Sequence, residues 1–372
     1  MKILQIVPVL DSYHCFLREL CDTLEADGHE VHVYCRTESG TLGVAPAADA
    51  RCTHVPFPRG ANPLAHFRAA KKLASAIDRL QPDIIHGHFS ATLLTTALAR
   101  KFTRHPCRWL GTFQGLQFPL LTGPKACLYR HAETFAARTL DQIWVLTSGD
   151  YEALTRALSP RRAKQIFLQT SPGFGCADRF LDTPLPTPEE RTTRRREQGY
   201  TSQNTVFIYV GRLVDFKGFP LLLQAFLHAH RQNQNLRLLV VGDFDPQHPT
   251  CLPPDEKNQL TEHPAIHWTR NQPDVLPWLD LADAFVFPAT REGMPVGTME
   301  ALARRLPVLT NPVRGCKDLI QPGINGYFFE SNTVEAITQT LLNLPQITQT
   351  YNPAPLRRSH WIQETRSAYM LT

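Results

Sequence analysis

Two glutamates, Glu292 and Glu300, stand eight residues apart in the segment REGMPVGTMEAL, Arg291–Leu302. The sequence predicts a strand ending at Pro288, a loop carrying Gly293, Met294, Pro295 and Val296, and a helix starting near Gly297. A glycine-bearing loop that feeds a helix N-terminus exposes backbone N–H groups able to hold phosphate oxygens. Were the whole span helical, the two carboxylates would lie about 12 Å apart along the axis. That is far beyond the ~5 Å of a nucleophile–acid pair in a retaining glycosidase. It suits two carboxylates that grip hydroxyls on opposite sides of a diphosphate. The plain alternative is one carboxylate at a helix start and one on the surface.

The segment VGRLVDFKGFPLLLQAF, Val210–Phe226, supplies cations. Gly211 and Arg212 end a predicted strand, and Lys217 precedes a helix. Arginine as a planar fork and lysine as a point charge can converge on one anion across such a loop. Open parallel sheets bind ligands at the C-terminal ends of their strands, which favours binding over plain solvation for this pair.

Three weaker patterns remain. His86-x-His88 contains metal-ligating residue types, but at a strand end the two rings are expected on opposite faces, and no metal site is predicted. Asp243-x-Asp245 after a strand is read as a polar loop. Lys101, Arg104, Arg108, Lys125, Arg130 and Arg138 lie among Phe102, Leu120, Leu121, Leu128 and Tyr129. Such a surface could rest on anionic lipid or be the ordinary solvated face of helices.

Positioning these residues requires αβ domains. The runs Ile3–Val9, Val31–Cys35, Asp83–His86, Arg108–Phe113 and Gln142–Thr147 read as buried strands separated by amphipathic segments. The alternation resumes with Val206–Val210, Leu236–Val241, Ile266–Trp268, Ala284–Pro288, Pro307–Thr310 and Gly326–Phe329. Strand–helix alternation implies parallel sheets covered on both faces. The expectation is two doubly wound Rossmann-like domains, residues 1–174 and 175–352, with a helix over 353–372 returning to the first. A proline-rich stretch between Ser171 and Asn204, with the run EERTTRRRE, marks the boundary. Its arginines are read as a solvated face.

The 372 residues exceed one ordinary core, and 42% hydrophobic with 20% charged residues is a normal globular balance. A net charge of +5 is too weak and dispersed for a nucleic-acid binder. Nine cysteines without a C-x-x-C pair predict a reducing compartment. The N-terminal MKILQIVPVL is too short for a signal-peptide core, and no apolar run reaches the ~18 residues of a membrane span.

In combination, GRLVDFKG with LLLQAF, REGMPVGTMEA, PVRGCKDLIQPGINGYFF and the weaker PDIIHGHFSATLLTTALAR resemble the retaining glycosyltransferases of family 4, with the GT-B fold. GHEVHVY and LVVGDFDP are also similar. The resemblance implies two domains facing each other across a cleft. Arg212 and Lys217 would neutralise the diphosphate of a nucleotide-sugar donor, and Glu292 would bind donor-sugar hydroxyls. Gly211 and the amides of Gly293–Val296 would touch the donor, and Glu300 would hold its ribose. It further implies retention by front-face attack without a protein nucleophile, a uridine diphosphate donor, and no metal or other cofactor. The acceptor would be a glycan or lipid-linked glycan in surface polysaccharide or lipopolysaccharide assembly. The enzyme would be cytoplasmic, with peripheral contact to the inner membrane. The first half departs from the pattern twice. VPVLDSYHCF lacks the family's glycine-rich turn, and Gln114 in GTFQGLQFP stands where a histidine would contact the sugar. Glutamine still donates and accepts hydrogen bonds but does not titrate near neutrality. A dinucleotide oxidoreductase lacks its G-x-G-x-x-G here. A GT-B epimerase and a non-catalytic sugar-nucleotide binder are the other readings.

Overall fold

The apolar runs become parallel strands in two separate sheets. The computed structural model describes residues 1–37, 49–58, 60, 62–245, 252–347 and 351–370. Pro246 of LVVGDFDP and Cys251 lie outside the described residues.

The first sheet contains β1 (Lys2–Val9), β2 (Glu30–Arg36), β3 (Cys52–His54), β4 (Ile84–His88), β5 (Arg108–Phe113), β6 (Gln142–Val145) and β7 (Ile166–Leu168). Their order is β3-β2-β1-β4-β5-β6-β7, every pair parallel. Alternate side chains of β1 serve the two faces, as the two-residue period of a strand requires. Leu4 and Ile6 join one core cluster, Ile3 and Val7 the other. The second sheet contains β8 (Thr205–Val210), β9 (Leu236–Val241), β10 (Ile266–Arg270), β11 (Ala284–Phe287), β12 (Val308–Thr310) and β13 (Gly326–Phe328). Its order is β10-β9-β8-β11-β12-β13, again all parallel. Each sheet therefore has a topological switch point, between β1 and β4 in the first and between β8 and β11 in the second.

The chain divides into two compact units, Met1–Phe174 with Trp361–Thr372, and Gly175–His360. The last helix, Arg358–Met370, brings Trp361 and Tyr369 into the core of the first unit. Its Arg366 bonds Asp27 at 2.7 Å, and Glu364 accepts the backbone N–H groups of Thr170 and Ser171.

The arginine run is more than a solvated face. Pro188–Glu197 is a helix with a capping box between Thr187 and Glu190. Arg191 and Arg195 reach Asp283 just before β11, at 2.8 and 3.0 Å, and Asp283 also accepts the N–H of Val206 in β8. Burial raises the Asp283 pKa, but these bonds outweigh it and hold the group below its ordinary value. The run thus ties the helix to the two strands that flank the second switch point.

Candidate active site

Gly211–Lys217 follows β8 and Ala289–Pro295 follows β11, so both segments leave the sheet at its switch point. Two glycines allow these loops, and the segment that follows β12, to meet. Gly218 has φ +76°, and a Cβ there would overlap the carbonyl of Pro288. Gly315 has φ +78°, and its Cβ would overlap the carbonyl of Gly293. Backbone bonds complete the junction, with the N–H of Thr290 donating to the Phe216 carbonyl at 2.9 Å.

Lys217 and Glu292 form an ion pair across this junction, both largely shielded from solvent. Arg212 donates to the buried carboxylate of Asp245 at 2.6 Å. Its own carbonyl accepts the hydroxyl of the fully buried Tyr209 at 2.8 Å. The Phe216 ring gathers the charges: Arg291, Arg212 and Lys217 lie 5.0, 5.6 and 5.9 Å from its centroid. Cations over an aromatic face are attracted by its quadrupole. Arg314 donates to the Glu292 carbonyl at 3.3 Å. The junction thus brings Arg212, Lys217 and Glu292 together. Asp245, Tyr209, Phe216, Arg291 and Arg314 surround them and were not singled out from the sequence. Asp245 belonged to a segment read only as a polar loop, and its bond to Arg212 gives it a part in the site.

The helix Val296–Ala303 starts at Pro295 without a side-chain cap and buries Thr298, Met299, Ala301 and Leu302. At its far end the buried Arg304 clamps Asp280 at 2.8 Å and donates to the carbonyls of Phe180, Thr183 and Pro184. Glu300 rides on this anchored helix. Burial pushes its pKa up to about 7, against the pull of Arg358 and Arg179, while Asp274 adds to the rise. Glu292 and Glu300 therefore sit in different electrostatic settings, one paired with a lysine and one close to half-protonated at neutral pH.

In the first unit β1 runs directly into the helix Leu10–Ser12 and a π-helical turn, Tyr13–Leu17. His86 and His88 of β4 do not point to opposite faces. Residues two apart in a strand share a face, and the rings lie 4.0 Å apart. Their nitrogens enter one buried network. Gln5 Nε2 donates to the Tyr369 hydroxyl at 2.9 Å, and that hydroxyl meets His86 Nδ1 at 2.6 Å. Tyr369 must then give its proton to His86 Nδ1, so His86 Nε2–H donates to Thr112 Oγ1, 2.7 Å away. His88 Nε2–H donates to Gln5 Oε1 at 2.9 Å. Its Nδ1 is left to accept from Gln114 Nε2 at 3.4 Å. Burial keeps both imidazoles neutral, lowering His88 to about 3 and His86 well below its ordinary value, the latter with help from His88.

The network fixes the Gln114 amide with its nitrogen inward. Its Oε1 is buried without a hydrogen-bond partner. Two buried carboxylates pin the loop that follows. Glu133 accepts the N–H groups of Gln117 and Phe118 at 2.9 and 3.1 Å, and Asp150 accepts that of Leu116 at 3.3 Å. Chemically, the second unit offers a cationic cradle with a flanking carboxylate. The first offers a neutral acceptor oxygen.

Comparison with known proteins follows the same division. Residues 204–346 match the family described as "Glycosyl transferases group 1", and residues 15–169 match "Glycosyl transferase 4-like domain". Among curated proteins, the capsular polysaccharide biosynthesis glycosyltransferase CapM of Staphylococcus aureus is 24% identical, over 78% of this chain and 74% of its own. The UDP-Gal:alpha-D-GlcNAc-diphosphoundecaprenol alpha-1,3-galactosyltransferase of Escherichia coli is 22% identical, over 91% and 86%. Among solved structures, Anabaena Alr3699/HepE in complex with UDP and glucose superposes with a TM-score of 0.73 at 15% identity, covering all of both chains.

Proposed function

We propose that this chain, which belongs to the family 4 glycosyltransferases of GT-B fold, transfers a hexosyl group from a uridine diphosphate sugar with retention of configuration. The observation that carries the reading is the Lys217–Glu292 pair beside Arg212 at the second switch point.

Arg212 and Lys217 hold the donor diphosphate. As the glycosidic C–O bond breaks, its electrons pass to the diphosphate, and the two cations stabilise the charge that develops there. Glu292 accepts hydrogen bonds from donor-sugar hydroxyls while keeping Lys217 in place. Gly211 and the amides of Gly293, Met294, Pro295-flanked Val296 and their loop meet the donor, and Glu300 accepts from the ribose diol. An acceptor hydroxyl attacks the anomeric carbon from the face the leaving group departs, and a donor phosphate oxygen takes its proton. No protein nucleophile is needed, and the protein groups that contact the reacting phosphate are cationic side chains. Gln114 accepts a hydrogen bond from a substrate hydroxyl through Oε1.

The acceptor is a glycan or lipid-linked glycan in surface polysaccharide or lipopolysaccharide assembly, a reading supported by the capsular role of the Staphylococcus aureus relative and the diphosphoundecaprenol-linked acceptor of the Escherichia coli one. No helix among the described residues is long and apolar enough to cross a membrane. The enzyme works at the cytoplasmic face of the inner membrane, where exposed Phe67, Phe102 and Leu128 lie among lysines and arginines. Arg108 does not belong to that surface, because it bonds the carbonyls of Ala368 and Tyr369.

A thermal-shift screen over nucleotide-sugars tests the donor. Stabilisation by one uridine diphosphate sugar and by uridine diphosphate itself is expected. Stabilisation by a dinucleotide and by none of the nucleotide-sugars would overturn the reading.

A further inference from the structure

Arg212 and Lys217 bring less net charge to the donor than their types suggest. Arg212 is paired with Asp245 at 2.6 Å, and Lys217 with Glu292. The two carboxylate side chains are only 4% and 9% exposed. A shielded carboxylate keeps its cation, because separation would leave its charge buried and unpaired. The four groups together are neutral. A nucleoside diphosphate sugar arrives with one negative charge on each phosphate, and its diphosphate takes on another as the glycosidic C–O bond breaks. Stabilising that added charge calls for a cation with no carboxylate of its own.

Arg291 is such a cation. It is exposed, and among the described residues it forms no ion pair. Its guanidinium lies 5.0 Å from the centroid of Phe216, the ring that also holds Arg212 at 5.6 Å and Lys217 at 5.9 Å. All three cations therefore stand within a side chain's reach of one another. Arg314, the other cation at this junction, is engaged with the Glu292 carbonyl at 3.3 Å.

The backbone beside Arg291 is fixed while its side chain is not. Thr290 donates to the Phe216 carbonyl through its N–H at 2.9 Å and its hydroxyl at 3.4 Å. Drawing Arg291 away from the ring forfeits one exposed cation–π contact, a small loss. Drawing Arg212 away from Asp245 would strand a buried carboxylate. Of the three cations, Arg291 is the one that moves at least cost.

We propose that Arg291 is a third catalytic cation, which leaves the face of Phe216 and binds the terminal phosphate of the departing nucleoside diphosphate. The electron pair of the C–O bond passes to the phosphate oxygen, and Arg291 stabilises the added charge without giving up a proton. This rests on the donor chemistry proposed above and assigns to Arg291 the charge that the two neutral pairs leave uncovered.

The test compares Arg291→Gln and Arg291→Lys with the unaltered chain. Uridine diphosphate and uridine monophosphate, titrated calorimetrically, isolate the terminal phosphate. In Arg291→Gln the preference for the diphosphate should fall about tenfold, with affinity for the monophosphate held within about twofold. Single-turnover transfer from the uridine diphosphate sugar that binds should slow about 10- to 100-fold, since solvent screens an exposed group. Donor KM should move by less than about threefold. Arg291→Lys keeps the charge and should recover most of the rate. Melting temperatures should stay level, because Arg291 lies outside the strands and helices. An unchanged preference for the diphosphate, equal losses of both nucleotides, or an unchanged transfer rate in Arg291→Gln would overturn the assignment. If the unaltered chain binds neither nucleotide, the donor chemistry itself fails. If it prefers the diphosphate and Arg291→Gln shares that preference, only the role of Arg291 fails.

Discussion

The two switch points use the same backbone plan for opposite electrostatics. In the second unit, loops after β8 and β11 bring Arg212, Lys217, Arg291 and Glu292 around one phenylalanine. In the first, β1 and β4 present Gln5, His86 and His88, all neutral and all hydrogen-bonded. In the proposed mechanism, charge is concentrated where the leaving group is stabilised, and neutrality prevails where a hydroxyl is oriented. The difference teaches that a parallel sheet supplies a place for chemistry, and the side chains at its strand ends decide what chemistry.

The comparison breaks most readily at Lys217. Lys217→Ala is expected to lower transfer about 100- to 1,000-fold, or about 3–4 kcal/mol. Single-turnover rates measure this, with circular dichroism to establish an intact fold. Unchanged turnover would remove the charged side of the contrast.

Glu300 gives the next largest effect. Its folded pKa is raised from 4.5 to about 7, so its contribution to stability is present below about pH 4.5 and lost as pH rises through about 7. Glu300→Gln cannot titrate, and its stability relative to the wild type should grow across that window by up to about 3 kcal/mol. Denaturant titrations at pH 5 and pH 8 read the change. Uridine diphosphate affinity should also strengthen with pH in the wild type as the carboxylate forms, and stay level in the variant. Parallel pH profiles for the two proteins would show that Glu300 is not the group involved.

Much of this contrast is visible in the primary structure, for a physical reason. β11 is an uninterrupted apolar run and β9 is broken only by Arg237, and Arg212, Lys217, Glu292 and Glu300 sit in short segments whose spacing already suggests strand–loop–helix. Contacts between distant segments are another matter. Asp245 approaches Arg212 only because β9 lies beside β8, and Phe216 collects Arg291 only because Gly218 admits Pro288. Pro188–Glu197 has no apolar stripe, since its inward groups are arginines bound for Asp283. β3 and β7, three residues each, are too short to show a period. His86 and His88 share a face, as the strand's own two-residue repeat requires, against the expectation of opposite faces.

Tyr369→Phe tests the neutral side. Gln5 Nε2 and His86 Nδ1 lose their shared partner, at a cost of about 1–3 kcal/mol in stability. Thermal denaturation should register that loss. Acceptor KM should rise through the loosened Gln114 amide, with uridine diphosphate affinity unchanged. A rise in donor KM alone would contradict the division of labour.

The smallest effect is expected from Asp245→Asn, which weakens the hold on a partly exposed arginine worth about 1 kcal/mol. Donor KM should increase about fivefold, and kcat should hold. A collapse of kcat would make Asp245 more than an orienting partner.

Gln5 and Tyr369, joined by one hydrogen bond, are 364 positions apart in the sequence. A ribosome delivers the second of them only 364 residues after the first. Domains ordinarily fold in the order of their synthesis, but this polar knot cannot close in that order. Most of the first unit emerges early with Gln5 Nε2 and His86 Nδ1 still lacking Tyr369, and the second, spanning Gly175–His360, is synthesised before Tyr369 arrives. The part made first is finished last.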